Sequence, residues 1–347
     1  MPLEPDDRSF PDVPPIPHGT RILAPGADPG ARPSGDTRPI EFRGSGGDLF
    51  AILFVNGLLN LFTLGIWFAW GRVRELRFLV GSTWVAGDPL SFHGRGGELF
   101  RGVLIAFFVF LVPLYALFII ASGLTGVSAV LVTMSAYLGI GLLIAFVSVG
   151  SLRYRLPRTE WRGIRFGFDG EPLEFLLGFV WRAALVVISL GFYSPIYSCW
   201  RRQWILSRTR FGTEFFDCDA EPKPLYGPFV ACWLLGFFTL GLSWVWYQGH
   251  LQAYLWNRSR LGSSRFTSTM TGGGWMRLQL VNVLLAVVTL GFGASWIITR
   301  SYAFLFSHLT LDGMLDLAAI KQRLQATGGI GEGALGVLDL DSGLDLG

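Results

Sequence analysis

Between Arg101 and Arg153 the chain carries no charged residue. A water-facing fold cannot absorb so long an uncharged, strongly apolar stretch. A bilayer can, because its hydrocarbon takes about 20 residues of helix. Residues 101–122 and 127–150 each meet that length and are separated by the short turn Gly123-Leu124-Thr125-Gly126. In lipid the backbone N–H and C=O groups must be satisfied within the segment. The stretch therefore reads as a membrane-spanning helical hairpin. Four further runs, roughly 48–69, 173–197, 226–247 and 277–299, are also apolar enough to enter a bilayer. Composition agrees, with 51% hydrophobic and only 15% charged residues, against about 25% charged in soluble domains. A net charge of +3 is too small to point to nucleic acid.

The apolar runs share a recurring lead-in. Phe42-Arg43-Gly44-Ser45-Gly46-Gly47-Asp48-Leu49-Phe50 returns as Phe92-His93-Gly94-Arg95-Gly96-Gly97-Glu98-Leu99-Phe100. A second marker follows inside the runs: Thr63-Leu64-Gly65, Ser189-Leu190-Gly191, Thr239-Leu240-Gly241 and Thr289-Leu290-Gly291. Counting back from these places copies near 42, 92, 168, 218 and 268, with the second expanded. Such a fixed period is the signature of a repeat architecture. The expected fold is a mostly α, polytopic helical integral membrane protein of about five ~50-residue tandem repeats.

Three parts follow from this. Residues 1–39 hold ten of the eighteen prolines and no apolar core of a signal peptide, so they read as a disordered tail. Residues 40–313 form the membrane domain, and residues 314–347 read as a flexible C-terminal tail. Within each copy a short alternating segment, such as Thr83 to Phe92 around Gly87-Asp88-Pro89, suggests a β-hairpin-like link at the membrane surface. Arg210 to Phe215 suggests another, and nothing in the sequence supports pairing between copies. If every run crossed once, basic residues would divide evenly between the two sides. The positive-inside rule expects an imbalance, so Arg segments on one side, with arms that re-enter, fit slightly better.

Candidate functional residues are few. Arg182 lies inside an apolar run, and an ionisable residue there is a functional candidate by default. His250, with Gln248 and Gln252, and Arg300 interrupt or end later runs and could line a polar cavity. Arg72, Arg74, Arg77, Arg201 and Arg202 are candidates for lipid head groups, since a guanidinium binds phosphate as a fork. The glycine clusters at 44–47 and 94–97 could cradle an anion at a helix N-terminus. Asp48 and Glu98 occupy that place, so a turn with a helix cap is favoured. The four histidines lack metal spacing, the three cysteines show no useful spacing, and no catalytic motif occurs. No metal or cofactor is expected.

The F-x-G-x-G-G-[DE]-L-F lead-in, Asn56-x-Leu58, Thr63-Leu64-Gly65-Ile66-Trp67 and Trp70-x-x-x-Arg74-x-x-Arg77-Phe78 together resemble the YjgN-like family of bacterial inner-membrane proteins. The resemblance covers roughly residues 40–313. It implies a multi-pass protein of the bacterial inner membrane and carries no catalytic residue or cofactor with it. The expected role is non-enzymatic, in transport or membrane organisation. The alternatives are a membrane-bound enzyme acting on a lipid or isoprenoid phosphate and a scaffold that binds lipids or proteins. Membrane lipids are the expected partners, with a small solute as a second candidate; the oligomeric state is left open.

Overall fold

The computed structural model describes residues 37–313 and residue 320. The sequence-based tail over 1–39 lies outside these residues except for Thr37–Pro39, which belong to the first strand. The C-terminal tail over 314–347 lies outside them except for Ile320.

Ten short strands organise the described residues. They are β1 (Thr37–Phe42), β2 (Thr83–Val85), β3 (Asp88–Phe92), β4 (Thr159–Trp161) and β5 (Ile164–Phe168), then β6 (Thr209–Phe211), β7 (Glu214–Cys218), β8 (Ser259–Leu261), β9 (Ser264–Ser268) and β10 (Leu309–Asp312). Each pairs antiparallel with its neighbours, and they close into one barrel. Four hairpins supply β2 to β9. The seam is long-range: β1 pairs with β2 through Ile40 opposite Val85 and with β10 through Arg38 opposite Leu311. The tight turns have the chemistry that hairpins need. Ala86-Gly87 and Arg162-Gly163 both take positive φ at the two central residues, and Gly212 and Gly262 supply left-handed glycines at the other two.

Every strand sends at least one apolar side chain inward, and β5 and β10 add Ile164 and Leu309 to the same core. Ile40, Val85, Leu90, Trp161, Phe166, Phe211, Phe216, Leu261, Phe266 and Leu311 ring a space of only about 100 Å³. Ile320 is packed into the same core.

Between the strands run five helix pairs: α1 (Gly46–Phe62) and α2 (Phe68–Gly81); α3 (Gly96–Ala106), α4 (Val112–Ser122) and α5 (Gly126–Arg155); α6 (Pro172–Ile188) and α7 (Ser194–Ser207); α8 (Lys223–Leu235) and α9 (Leu242–Asn257); α10 (Gly272–Val288) and α11 (Ala294–Ser307). A π turn over Phe107–Leu111 joins α3 to α4. Each pair leaves one strand and returns to the next, so all five hang from the barrel with their reverse turns at the far end. Neighbouring pairs touch in sequence, and α11 packs against α1, which closes the ring.

The T-L-G marker is the reverse turn. Leu64, Leu190, Leu240 and Leu290 take φ of 50 ± 2°, and the following glycines take φ of 85–93°. The glycine N–H bonds back five residues, as from Gly65 to Asn60 O at 2.8 Å, the longer bond of a Schellman-type helix end. The hydroxyl before the leucine holds both helices. Thr63 Oγ1 donates to Leu59 O at 2.7 Å and accepts from Trp67 N at 3.0 Å. Thr289 does the same with Leu285 O and Gly293 N.

This architecture overturns the expectation of a mostly helical, polytopic protein of tandem repeats with hairpins as mere surface links. Those hairpins are the closed barrel. Four of the six apolar runs are not single helices, because each breaks at its T-L-G turn. Two helices, Gly96–Ile120 and Gly126–Arg158, are long and apolar enough to cross a membrane among the described residues.

Candidate functional site

The helices leave the barrel through the glycine-rich lead-in, and its geometry is now concrete. Ser45 caps α1: its Oγ accepts from Asp48 N at 3.1 Å and donates to the Asp48 carboxylate at 2.6 Å. Thr271 caps α10 through Gly274 N at 3.1 Å. The first helical glycines do something else. A Cβ on Gly96 would stand 2.5 Å from the Trp70 ring, one on Gly272 would stand 2.8 Å from the Trp246 ring, and one on Gly46 would collide with Trp296. Each glycine is a seat for an indole from the preceding helix pair. The Gly46–Trp296 contact lies at the seam.

The lower ends of α2, α5, α7, α9 and α11 stand over the mouth of the barrel, where Trp256 and Phe306 pack onto the barrel core. Polar side chains gather at this level. On α2, Arg72 is ion-paired with the buried Glu75 at 2.6 Å. Arg155 is the last residue of α5. Arg155 Nε donates to its own helix at Ser151 O, 3.3 Å away. No carboxylate pairs with Arg155 among the described residues. On α7, Arg202 lies 4.1 Å over the Trp256 ring and donates to Ser259 Oγ at 3.3 and 3.4 Å. Trp256 also lines a cavity of about 620 Å³ with Gln248, Gln252, Gln279 and Leu305.

The three polar candidates inside the apolar runs have separate surroundings. Arg182 donates to Gly178 O at 3.1 Å and stacks 4.0 Å over Trp200 of its own helix pair. His250 stacks on Trp246 at 5.6 Å. Arg300 is exposed and lines a groove of about 610 Å³ with Gly44, Trp296 and Thr299. No contact joins these three among the described residues. Of the arginines read as head-group ligands, Arg202 packs beside the barrel through Trp256 and Ser259, and Arg72 is held by Glu75. Arg74 lies 5.3 Å from the Trp67 ring, Arg77 donates to Gly94 O at 3.4 Å, and Arg201 is exposed beside Tyr197.

Arg155 escapes the sequence reading. The pattern draws attention to Arg153, which is an outer-surface residue ion-paired with Glu171 at 3.1 Å. The signal for Arg155 was its position two residues on, at the end of an otherwise uncharged helix.

Comparison with known proteins places this architecture. The chain is 35% identical over 133 residues to the inner membrane protein YjgN of Salmonella typhimurium, covering 38% of this chain and 31% of that one. It is 26% identical over 230 residues to the inner membrane protein YjgN of Escherichia coli O157:H7, covering 65% and 50%. The chain thus spans 31% to 50% of the length of these curated relatives. No solved structure matches. A family described as a bacterial protein of unknown function (DUF898) matches residues 37–242 and again 232–337, taking in the barrel and all five helix pairs. The chain belongs to this YjgN-like family of bacterial proteins of unknown function.

Proposed function

We propose that this protein organises the bacterial inner membrane around itself, as a ring of helical wedges held by a barrel outside the hydrocarbon. The observation that carries this is the state of the four tight tips. Leu64, Leu190, Leu240 and Leu290 are 93%, 76%, 94% and 87% exposed, on backbone that a non-glycine residue adopts at a cost of roughly 1–2 kcal/mol. Phe62, Ile188, Phe237, Phe238 and Phe292 are exposed beside them. Apolar tips of this kind suit lipid and penalise water.

Helix length supports a wedge. α1 and α2 have 17 and 14 residues, which at 1.5 Å per residue gives roughly 25 and 21 Å. The hydrocarbon is about 30 Å thick. The short pairs reach into the bilayer from the barrel side without spanning it, whereas the pair with α5 is long enough to cross. More protein volume then enters the leaflet next to the barrel. The Arg-bearing helix ends also lie at the barrel, which puts the barrel on the cytoplasmic side under the positive-inside rule. Inner-membrane location is supported by the names of the relatives. Transport along the axis is the weaker reading, because a solute would have to displace ten apolar side chains from the barrel.

The test draws nanotubes from giant vesicles that hold fluorescently labelled protein. A wedge concentrates in the curved tube, and replacing Leu64 and Leu240 by Asp lowers that enrichment. Equal protein density in tube and flat membrane for the wild type would sink the reading.

A further inference from the structure

We infer that the cavity between the fourth and fifth helix pairs is a binding site for an uncharged sugar. Its walls come from three helices. α9 supplies Gln248, Gln252 and Trp256, α10 supplies Trp275 and Gln279, and α11 supplies Leu305. Positions 248, 252 and 256 are one turn apart, as are 275 and 279, so each set shares one face of its helix. The space measures about 620 Å³, within the range of about 300–1,000 Å³ that ligand pockets occupy. Trp256 also packs onto the barrel core, so the cavity begins where the barrel ends. Apolar side chains fill the barrel itself around about 100 Å³. The cavity is therefore a pocket and not the start of a path.

Three side-chain amides line this one space. Gln279 Oε1 accepts from Asn282 Nδ2 at 3.4 Å, and Asn282 Nδ2 also donates to Ser301 Oγ at 3.1 Å. That contact holds the Gln279 amide and leaves its NH2 group to donate. Neither the Gln248 nor the Gln252 amide has a hydrogen-bond partner among the described residues. Each offers two donors and an acceptor oxygen, and an amide without a partner is costly wherever water is excluded. The two indole walls are held in place. Arg202 lies 4.1 Å over the Trp256 ring. Trp275 stands against Gly249, where a Cβ would come 2.5 Å from Trp275 Cβ, and against Phe304 at 6.2 Å between centroids.

The lining selects the ligand class. No charged side chain is part of it among the described residues, so neither an anion nor a cation finds a counter-charge there. A wholly apolar ligand would leave the amides unpaired. Hydroxyl groups both donate and accept, as the amides do. An indole ring carries negative charge on its face, which suits the partly positive C–H face of a sugar ring. A sugar presents both surfaces at once. It can enter free or as the head of a glycolipid, whose tail would meet Val245 and Val283 of the same lining. The site does not rest on the wedge reading.

The test uses the full chain, stripped of lipid in an amine-oxide detergent, whose head carries no sugar to compete. Binding of radiolabelled glucose, galactose and octyl glucoside is measured against empty micelles, with unlabelled octanol as the tail-only competitor. The wild type binds at least one sugar-bearing probe saturably, and octanol does not displace it. Replacing Gln248 and Gln252 together by Leu keeps the bulk, removes two amides and weakens binding at least about tenfold, the scale of one or two neutral hydrogen bonds. Gln252→Asn, which keeps the amide and draws it back by one carbon, weakens binding less; it also serves if the double variant fails to fold. Arg300→Gln, on a separate groove, binds as the wild type does. Binding of a free sugar assigns the sugar itself, and binding of octyl glucoside alone assigns a lipid-borne sugar. The inference is overturned if no sugar-bearing probe saturates, if octanol displaces octyl glucoside as well as octyl glucoside displaces itself, or if both glutamine variants bind like the wild type. Because the site is read in detergent, its failure leaves the wedge reading standing, and a failed nanotube assay leaves the site standing.

Discussion

Gly96→Ala is a sharp test of how the ring is joined. The new Cβ would lie 2.5 Å from Trp70 Cδ1 and 2.7 Å from its Cγ, whereas carbon atoms rest at about 3.5–4.0 Å. Relief needs about 1 Å of movement. Trp70 is not free to give it, because its ring lies against Trp67 at 5.9 Å and Phe100 at 5.4 Å between centroids. Overpacking of this kind costs about 1–3 kcal/mol. Against it stands the helix preference for Ala over Gly, worth up to about 1 kcal/mol in a helix interior and less at the first position. The net effect is destabilising. Gly97, the next residue, has nothing within 4 Å of its Cβ site, so Gly97→Ala should be neutral or stabilising. The assay is thermal unfolding of the full chain in one detergent, followed by near-UV circular dichroism. Gly96→Ala should melt several degrees lower and Gly97→Ala no lower than the wild type. Trp70→Phe in the Gly96→Ala background should restore part of the loss. Equal shifts for the two alanine variants would refute the seat.

Two other outcomes follow from burial. Phe211 is fully buried in the barrel against Trp161 and Phe166, so Phe211→Ala should cost about 3–5 kcal/mol, while Phe237→Ala at an exposed tip leaves melting in detergent nearly unchanged. Cys218 is buried on β7, and burial raises its thiol pKa. Because the thiolate is the reactive form, a chain with Cys199 and Cys232 replaced by Ala should react with iodoacetamide at pH 8 far more slowly folded than denatured, and its folded rate should climb only at higher pH than that of a free thiol; equal rates in the two states would contradict this.

The reverse turns were legible because they are local. Thr63, Leu64 and Gly65 carry the hydroxyl clamp and the left-handed residues within three positions, and a hydroxyl residue (Thr, or Ser at 189), Leu and Gly stand at each of the other tight tips. The β-hairpins were legible in part, from Gly87-Asp88-Pro89 and from Arg210 to Phe215. Their assembly was not. A three-residue strand such as β6 gives the barrel one inward side chain, Phe211, and no run of alternation shows which face is inside. The decisive register pairs Ile40 with Val85 and Arg38 with Leu311, and long-range pairing leaves no local mark. The glycine seats lie between these cases. The cap at Ser45 was readable, and the indole was not, because the ring lies in the preceding helix pair. A trace existed: Trp70 and Trp246 precede Gly96 and Gly272 by 26 residues, with Trp296 and Gly46 the matching pair across the seam, whereas Phe146 and Ile196 precede Pro172 and Pro222. Arg182, conspicuous in sequence, stacks on Trp200 of its own helix pair.

The β1–β10 seam has a consequence for the order of events during synthesis. The sheet cannot be completed until residue 312 has left the ribosome, because the strand made first waits for the strand made last. By then the five helix pairs have all been translated and can enter the bilayer one after another on an open, unclosed sheet. Contacts of such separation form slowly, so on the wedge reading proposed above membrane insertion precedes closure, and a chain stalled before β10 keeps both barrel edges unpaired. Joining residue 312 to residue 37 through a short linker and opening the chain between β4 and β5 would pair β1 with β10 in mid-synthesis and move the last closure to the β4–β5 edge.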